Sequence, residues 1–254
     1  LQSLFLLPFM IREGGFQITH VWKHAARGFL IATATLLFFS AVMVMPLADA
    51  ISIFFIGPLL LTLLSAFFLG EHIGMRRITA VLAGFAGAIL IIRPSYGAFG
   101  WVSLLPVCTA FAFALYMTLT RAMARDGHAG SPVAMQFYSG VFGAIGMSVA
   151  LTFGFTFNIE PLSVVAPSAF AWGMLLSLGV VATIGHLLIV FAARRIDGSL
   201  IAPFQYLEIV SATILGWYFF ADFPNTLTWV GVGLITGSGL YVFHRERVRG
   251  VERG

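Results

Sequence analysis

Residues 58–71 read PLLLTLLSAFFLGE and residues 209–222 read IVSATILGWYFFAD. Displaced by 151 positions, the difference between 209 and 58, they align without a gap. Thr62 meets Thr213, Phe67 meets Tyr218, Phe68 meets Phe219 and Glu71 meets Asp222. Each stretch leads into a glycine-rich apolar run, AVLAGFAGAILII at 80–92 and WVGVGLITGSGLYV at 229–242. One match between apolar stretches can arise by chance. Paired acidic ends followed by paired glycine-rich runs point to an internal repeat.

The surroundings decide what is repeated. Of 254 residues, 59% are hydrophobic and 9% charged, with mean hydropathy +0.98, whereas soluble domains carry about 25% charged residues. The apolar residues fall in blocks of about 20, the length that spans a bilayer as a helix. Eight blocks follow: Ala26–Met45, Ala50–Leu69, Ile78–Ile92, Trp101–Thr120, Val133–Phe153, Phe170–Ala192, Ser199–Phe220 and Leu227–Phe243. Closed β-barrels are excluded, because their strands alternate and run only about 10 residues. The expected class is an all-α polytopic membrane protein. Leu1–Ile11 is apolar but half the spanning length, lacks a basic n-region, and starts with Leu. It reads as the second half of a spanning helix whose beginning is missing.

Charge sets the orientation. Under this segmentation Arg93 falls on one side and every other Lys and Arg on the opposite side. The positive-inside rule then puts the C-terminus in the cytoplasm. The positive charge is distributed over short loops and a tail, as solvated faces, so the basic balance needs no nucleic-acid partner. Cys108 is the single cysteine, so no intrachain disulfide is available.

Glu71 lies on the arginine-rich side and Asp222 on the other. The two copies therefore run in opposite directions, which requires an odd number of spans per copy. Counting back gives an inverted repeat of two five-helix halves, a ten-helix fold here lacking helix 1 and part of helix 2. The first repeat is 1–97, the second 98–243, and 244–254 is a basic cytoplasmic tail. Inverted repeats are a mark of secondary transporters, with the binding site near the midplane.

The run PLADAISIFFIGPLLLTLLSAFFLGEHIGMRRITAVLAGFAGAILIIRP at 46–94 resembles the first half of EamA-type carriers of the drug/metabolite transporter superfamily. The run GHLLIVFAARRIDGSLIAPFQYLEIVSATILGWYFFADFPNTLTWVGVGLITGSGLY at 185–241 resembles the second half. The resemblance implies a ten-helix fold of two inverted halves that moves small metabolites through a central cavity. Asp222 departs from the pattern, standing where that family more often has Glu.

Polar residues inside the spans are the site candidates. Glu208 lies nine residues into its block, about 13 Å deep at ~1.5 Å per residue, close to the middle of a ~30 Å core. An acid there costs roughly 2.5–3.5 kcal/mol on insertion scales, so it must face a cavity or a partner. It reads as a substrate-binding or proton-carrying carboxylate, against the alternative of a protonated structural acid. Gln205 shares its face one turn earlier. Tyr206 points elsewhere as an interfacial anchor, although the resemblance keeps it a candidate. His186 lies about 12 Å in from Arg194, near the depth of Glu208, and forms a stripe with Trp172, Gly179 and Thr183. A shared proton with Glu208 competes with a histidine hydrogen-bonded to a backbone carbonyl. In the first half Pro58, Thr62 and Ser65 share a face, in either a cavity wall or a kinked packing helix.

His20 and His24 are spaced i, i+4, but with no third ligand they read as solvated loop residues rather than a metal pair. No P-loop, nucleophile elbow or zinc motif appears. The reading is a secondary carrier for a small organic metabolite, without a cofactor, in the inner membrane. The expected partners are a small-molecule substrate and the lipid bilayer, with no nucleic acid and with a homodimer kept open. The alternatives are an intramembrane enzyme using His186 and Glu208, and an inactive truncated fragment.

Overall fold

The computed structural model describes residues 1–13, 18–70, 75–126, 130–157, 159, 162, 166–195, 211, 214–215, 217–219 and 226–251. The elements in order are α1 (Gln2–Glu13), α2 (Val21–Val42), α3 (Leu47–Phe54), α4 (Gly57–Leu69), α5 (Met75–Phe99), a 3-10 turn (Gly100–Leu104), α6 (Leu105–Arg125), α7 (Pro132–Phe157), α8 (Ala169–Arg195) and α9 (Thr226–Val251). There is no strand among the described residues. Five stretches among them are long and apolar enough to cross a membrane. The chain is an all-α polytopic membrane protein.

Local sequence explains where the helices stop and start. The expected block Ala50–Leu69 is two helices, because Gly57-Pro58 opens α4. Pro58 has no N–H, so it cannot donate to the Phe54 carbonyl and the ladder of α3 ends there. Gly70, at φ 67°, closes α4 in the left-handed conformation that favours glycine. At the start of α7 the Ser131 hydroxyl accepts from Ala134 N–H at 3.0 Å, with Pro132 as first helical residue. Ser168 caps α8 in the same way, accepting from Ala171 N–H at 3.2 Å.

Hydroxyls within the spans turn back on their own helices. Thr109 donates to Leu105 O, Thr118 to Ala114 O, Ser139 to Met135 O and Thr152 to Ser148 O. With no water in the hydrocarbon, such i−4 bonds satisfy the side chain at no cost in partners.

Packing divides the chain into two compact units, 1–33 with 119–195, and 34–118 with 196–254. In the first, α1 packs on α7 and α8, with the Ser3 hydroxyl donating to Phe137 O at 3.0 Å. Its apolar cluster holds Met123, Met135 and Val190. Large apolar side chains of α8, such as Phe170, Met174, Val181 and Leu188, lie on the outside, as expected of a surface that meets lipid.

The second unit holds a larger core, with Ile53, Phe55, Ile91, Ala110 and Ile235 fully or nearly fully buried. Its main crossing is α5 against α9. A Cβ on Gly87 would lie 2.8 Å from Gly231 O and 3.1 Å from Ile235 Cγ1, and one on Gly84 would lie 2.9 Å from Ser238 Oγ and collide with Leu59. The offset of 151 carries position 84 to 235 and position 87 to 238. The contacts 84–238 and 87–235 are thus each other's image when the copies are exchanged. The expected span Ser199–Phe220 lies mostly outside the described residues; its described positions, such as Ser211 and Trp217, are helical. Glu71 and Asp222 lie outside them as well.

Candidate functional site

The first turns of α2 carry the least expected group in the molecule. Arg27 is fully buried. Its Nε donates to Thr120 Oγ1 at 2.9 Å, and its Nη1 donates to the Met135 carbonyl at 2.9 Å. Thr120 is on α6 and Met135 on α7, so one guanidinium ties three helices together. The next residue makes this reach short. A Cβ on Gly28 would fall 2.8 Å from Gly143 N and 2.9 Å from Ser139 O, so the backbones of α2 and α7 nearly touch.

One turn earlier His24 is only 1% exposed. Its Nδ1 is buried with no hydrogen-bond partner among the described residues. The ring of Tyr138 stands beside it, centroids 5.7 Å apart and tilted by 59°. At the rim Lys23 pairs with Asp126 at 3.1 Å. Gln136 and Ser139 on α7 are also buried, at 2% and 1% exposure. The result is a cluster of buried polar side chains inside apolar helices.

On α8, His186 is half-buried, and Arg27 lies within electrostatic reach of it. Its Nδ1 is 2.9 Å from Ala182 O. A carbonyl oxygen only accepts, so Nδ1 carries the proton and donates. This is the backbone-bonded histidine that the sequence offered as the plainer alternative. Thr183 is buried and donates to Gly179 O at 2.6 Å. A Cβ on Gly179 would lie 3.1 Å from Leu1 Cβ and 3.2 Å from Phe5 Cε2, while Trp172 is 50% exposed.

The sequence matches the EamA-like transporter family over residues 1–93 and 100–243. The chain belongs to that family. A riboflavin transporter of Rhizobium johnstonii is 26% identical over 97% of this chain and 78% of its own length. An S-adenosylmethionine uptake transporter of Rickettsia felis is 27% identical over 96% and 80%. The pseudopaline exporter CntI of Pseudomonas aeruginosa is 28% identical over 91% and 78%. A solved crystal structure aligns with TM-score 0.65 at 21% identity, covering 94% of this chain and 82% of its own, and so shares the fold.

Against this EamA-like frame the sequence candidates sort by place. His186 and Thr183 share one stretch of α8. Thr62 is half-buried on α4, between buried Pro58 and Ser65, a face that packs. Glu208, Gln205 and Tyr206 lie outside the described residues.

Two residues were misread. Arg27 and His24 were expected among solvated loop charges, but α2 begins at Val21 rather than Ala26, and both are buried. The physical reason is that their partners are protein groups, 93 and 108 positions away for Arg27, which a count of loop charges does not see. The available signal was the i, i+3 spacing of His24 and Arg27, which puts both on one helix face beside the first small residue of an apolar run.

Proposed function

We propose that this EamA-like chain is a secondary carrier for a small organic metabolite, working by alternating access between inverted repeats 1–97 and 98–243. The carrying observation is the family match, which falls in two segments, 1–93 and 100–243, on either side of the repeat boundary. The exchanged contacts 84–238 and 87–235 support the same division. Relatives named as carriers of riboflavin, S-adenosylmethionine and pseudopaline make these the first substrates to try. The sequence has no P-loop, so uphill movement draws on an ion gradient.

The membrane is the inner membrane of a bacterium, with the C-terminus in the cytoplasm, on the asymmetry of Lys and Arg among the loops. The coupling ion in this reading is a proton held by Glu208, supported by its calculated depth near the midplane. Gln205, Tyr206, His186, Thr183 and Thr62 line the path.

Flux of a metabolite panel into and out of proteoliposomes, with and without a pH gradient, tests the reading. Saturable flux of a panel member is expected. Its absence for folded, correctly inserted protein rejects the metabolite-carrier reading. Glu208→Gln is expected to insert normally and to lose acceleration by the pH gradient; undiminished acceleration removes the proton role from that residue.

A further inference from the structure

We propose that the groove between α5 and α9 seats one acyl chain of an anionic phospholipid, with its headgroup at the arginine-bearing ends of the two helices. The inference goes beyond the carrier reading and does not rest on it. Its first support is the space. The groove holds about 310 Å³ between Thr79 and Ala83 of α5 and Gly233, Gly237, Ser238 and Tyr241 of α9. A Cβ on Gly233 or Gly237 meets nothing within 4 Å among the described residues, and Leu234 and Tyr241 are 40% and 45% exposed. The groove is therefore open on the side away from the seam. Ser238 donates to Ile235 O at 2.8 Å, so its hydroxyl proton is already bonded within α9. Such a wall suits a methylene chain better than a polar ligand.

The register sets the length and the ends. A Cβ on Gly231 meets Ile91, one on Gly87 meets Leu234 and Ile235, and one on Gly84 meets Ser238. Each step towards the start of α5 is thus a step towards the end of α9. From Gly233 to Tyr241 the groove runs ~12 Å at ~1.5 Å per residue, within half of a ~30 Å hydrocarbon core. It takes one chain from one leaflet. Arg76 lies three residues before Thr79 and Arg245 four after Tyr241, so each continues the groove-lining register of its own helix.

Charge selects the headgroup. The first turn of α5 and the last turns of α9 carry Arg76, Arg77, Arg245, Arg247 and Arg249 against one carboxylate, Glu246. Glu71, Glu252 and Arg253 flank them. With all three glutamates paired to arginines, three arginines are still left over, so the surplus holds whichever of these pairs form. A headgroup of net negative charge neutralises it, whereas a zwitterionic one brings its own cation into it. A second copy seated here about a two-fold axis along the membrane normal would set like arginines against each other. Lipid meets both the groove and the charge.

Native mass spectrometry of the full chain, released from detergent and titrated with phosphatidylglycerol or phosphatidylethanolamine of matched chains, tests the seat. One saturable phosphatidylglycerol adduct is expected, with about ten-fold higher affinity than phosphatidylethanolamine. Gly237→Leu places a branched side chain in the groove, where a Cβ meets no described atom within 4 Å. It is expected to fold and to lose the adduct, and Gly233→Leu, one turn deeper, probes the same space should Gly237→Leu fail to fold. Arg76→Gln combined with Arg245→Gln is expected to narrow the preference between the two lipids. Equal affinity of the wild type for both lipids overturns the proposal. So does a phosphatidylglycerol adduct undiminished in a folded leucine variant. A protein dimer that the leucine variants disperse assigns the groove to a second copy and overturns it as well.

Discussion

Two glycine crossings hold the two packing units, and they are used for opposite purposes. In the second unit α5 meets α9 at Gly87 and Gly231, among Ala88, Ile91, Val232 and Ile235. In the first, α2 meets α7 at Gly28 and Gly143, next to buried Arg27, His24, Gln136 and Ser139. Within lipid, apolar contact brings little net attraction between helices, so small residues that let backbones approach take its place. The second unit uses that closeness for van der Waals contact alone. The first uses it to bring a guanidinium within reach of two other helices. The same local device thus serves apolar packing in one place and a buried polar cluster in the other.

Overfilling the apolar crossing gives the largest expected effect. A Cβ at position 87 would lie 2.8 Å from the Gly231 carbonyl oxygen and 2.8 Å from Leu234 Cβ, neither of which can rotate away. Even alanine there is expected to cost about 1–3 kcal/mol, and Gly87→Leu is expected to abolish the folded, monodisperse protein. Thermal unfolding followed by size-exclusion fluorescence in detergent measures this. A Gly87→Leu protein with unaltered melting would break the comparison, since the seam would then not depend on missing atoms.

The polar crossing should respond to chemistry more than to volume. Arg27→Met keeps most of the bulk but takes charged donors from Thr120 Oγ1 and the Met135 carbonyl, each bond of this kind being worth about 1.5–3 kcal/mol. Met135 O still accepts from Ser139, so the loss in melting stability is expected near the lower end of that range. Arg27→Lys, with a point charge that reaches fewer acceptors, should recover part of it. Equal melting of both variants and wild type would show the guanidinium to be a passenger in the packing.

Legibility from sequence follows the same division. The all-α class was readable because hydrocarbon imposes its length on each segment separately, and the family was readable from the runs at 46–94 and 185–241. Pro58 marked a disturbed helix, and the break between Phe54 and Gly57 lies where its missing N–H demands. The buried polar cluster was not readable. Arg27 and His24 look like ordinary charges at a span end, and groups far along the chain, Thr120 and Met135 for Arg27 and Tyr138 for His24, make them interior. Thr183 and His186 were singled out by depth and stripe, but their bonds to Gly179 and Ala182 are local backbone contacts that a helical wheel does not display.

The rim of the polar cluster is expected to matter much less. Lys23 and Asp126 pair at 3.1 Å, with side chains 17% and 47% exposed. Such a pair contributes about 0.2–1 kcal/mol and is screened by salt. A double-mutant cycle with Lys23→Ala and Asp126→Ala should return a coupling in that range at low salt, fading as salt is raised. A coupling as large as the Arg27 effect would move the structural weight of the first unit from its interior to its rim.

The smallest effect is expected on the helix that packs against the one carrying the largest. Gly233 and Gly237 are on α9, but a Cβ on either meets nothing within 4 Å among the described residues. Both line a groove of about 310 Å³ with Thr79, Ala83, Ser238 and Tyr241. Glycine inside a helix is about 0.5–1 kcal/mol worse than alanine through the freedom it loses on folding. Gly233→Ala and Gly237→Ala should therefore leave melting unchanged or raise it slightly, while Gly231→Ala, whose Cβ would lie 2.6 Å from Gly87 O, lowers it. Measured side by side, the three substitutions separate glycine as a contact from glycine as mere composition. If all three destabilise alike, the tight seam extends beyond Gly231 to the outer face of α9, and the contrast between the two crossings narrows accordingly.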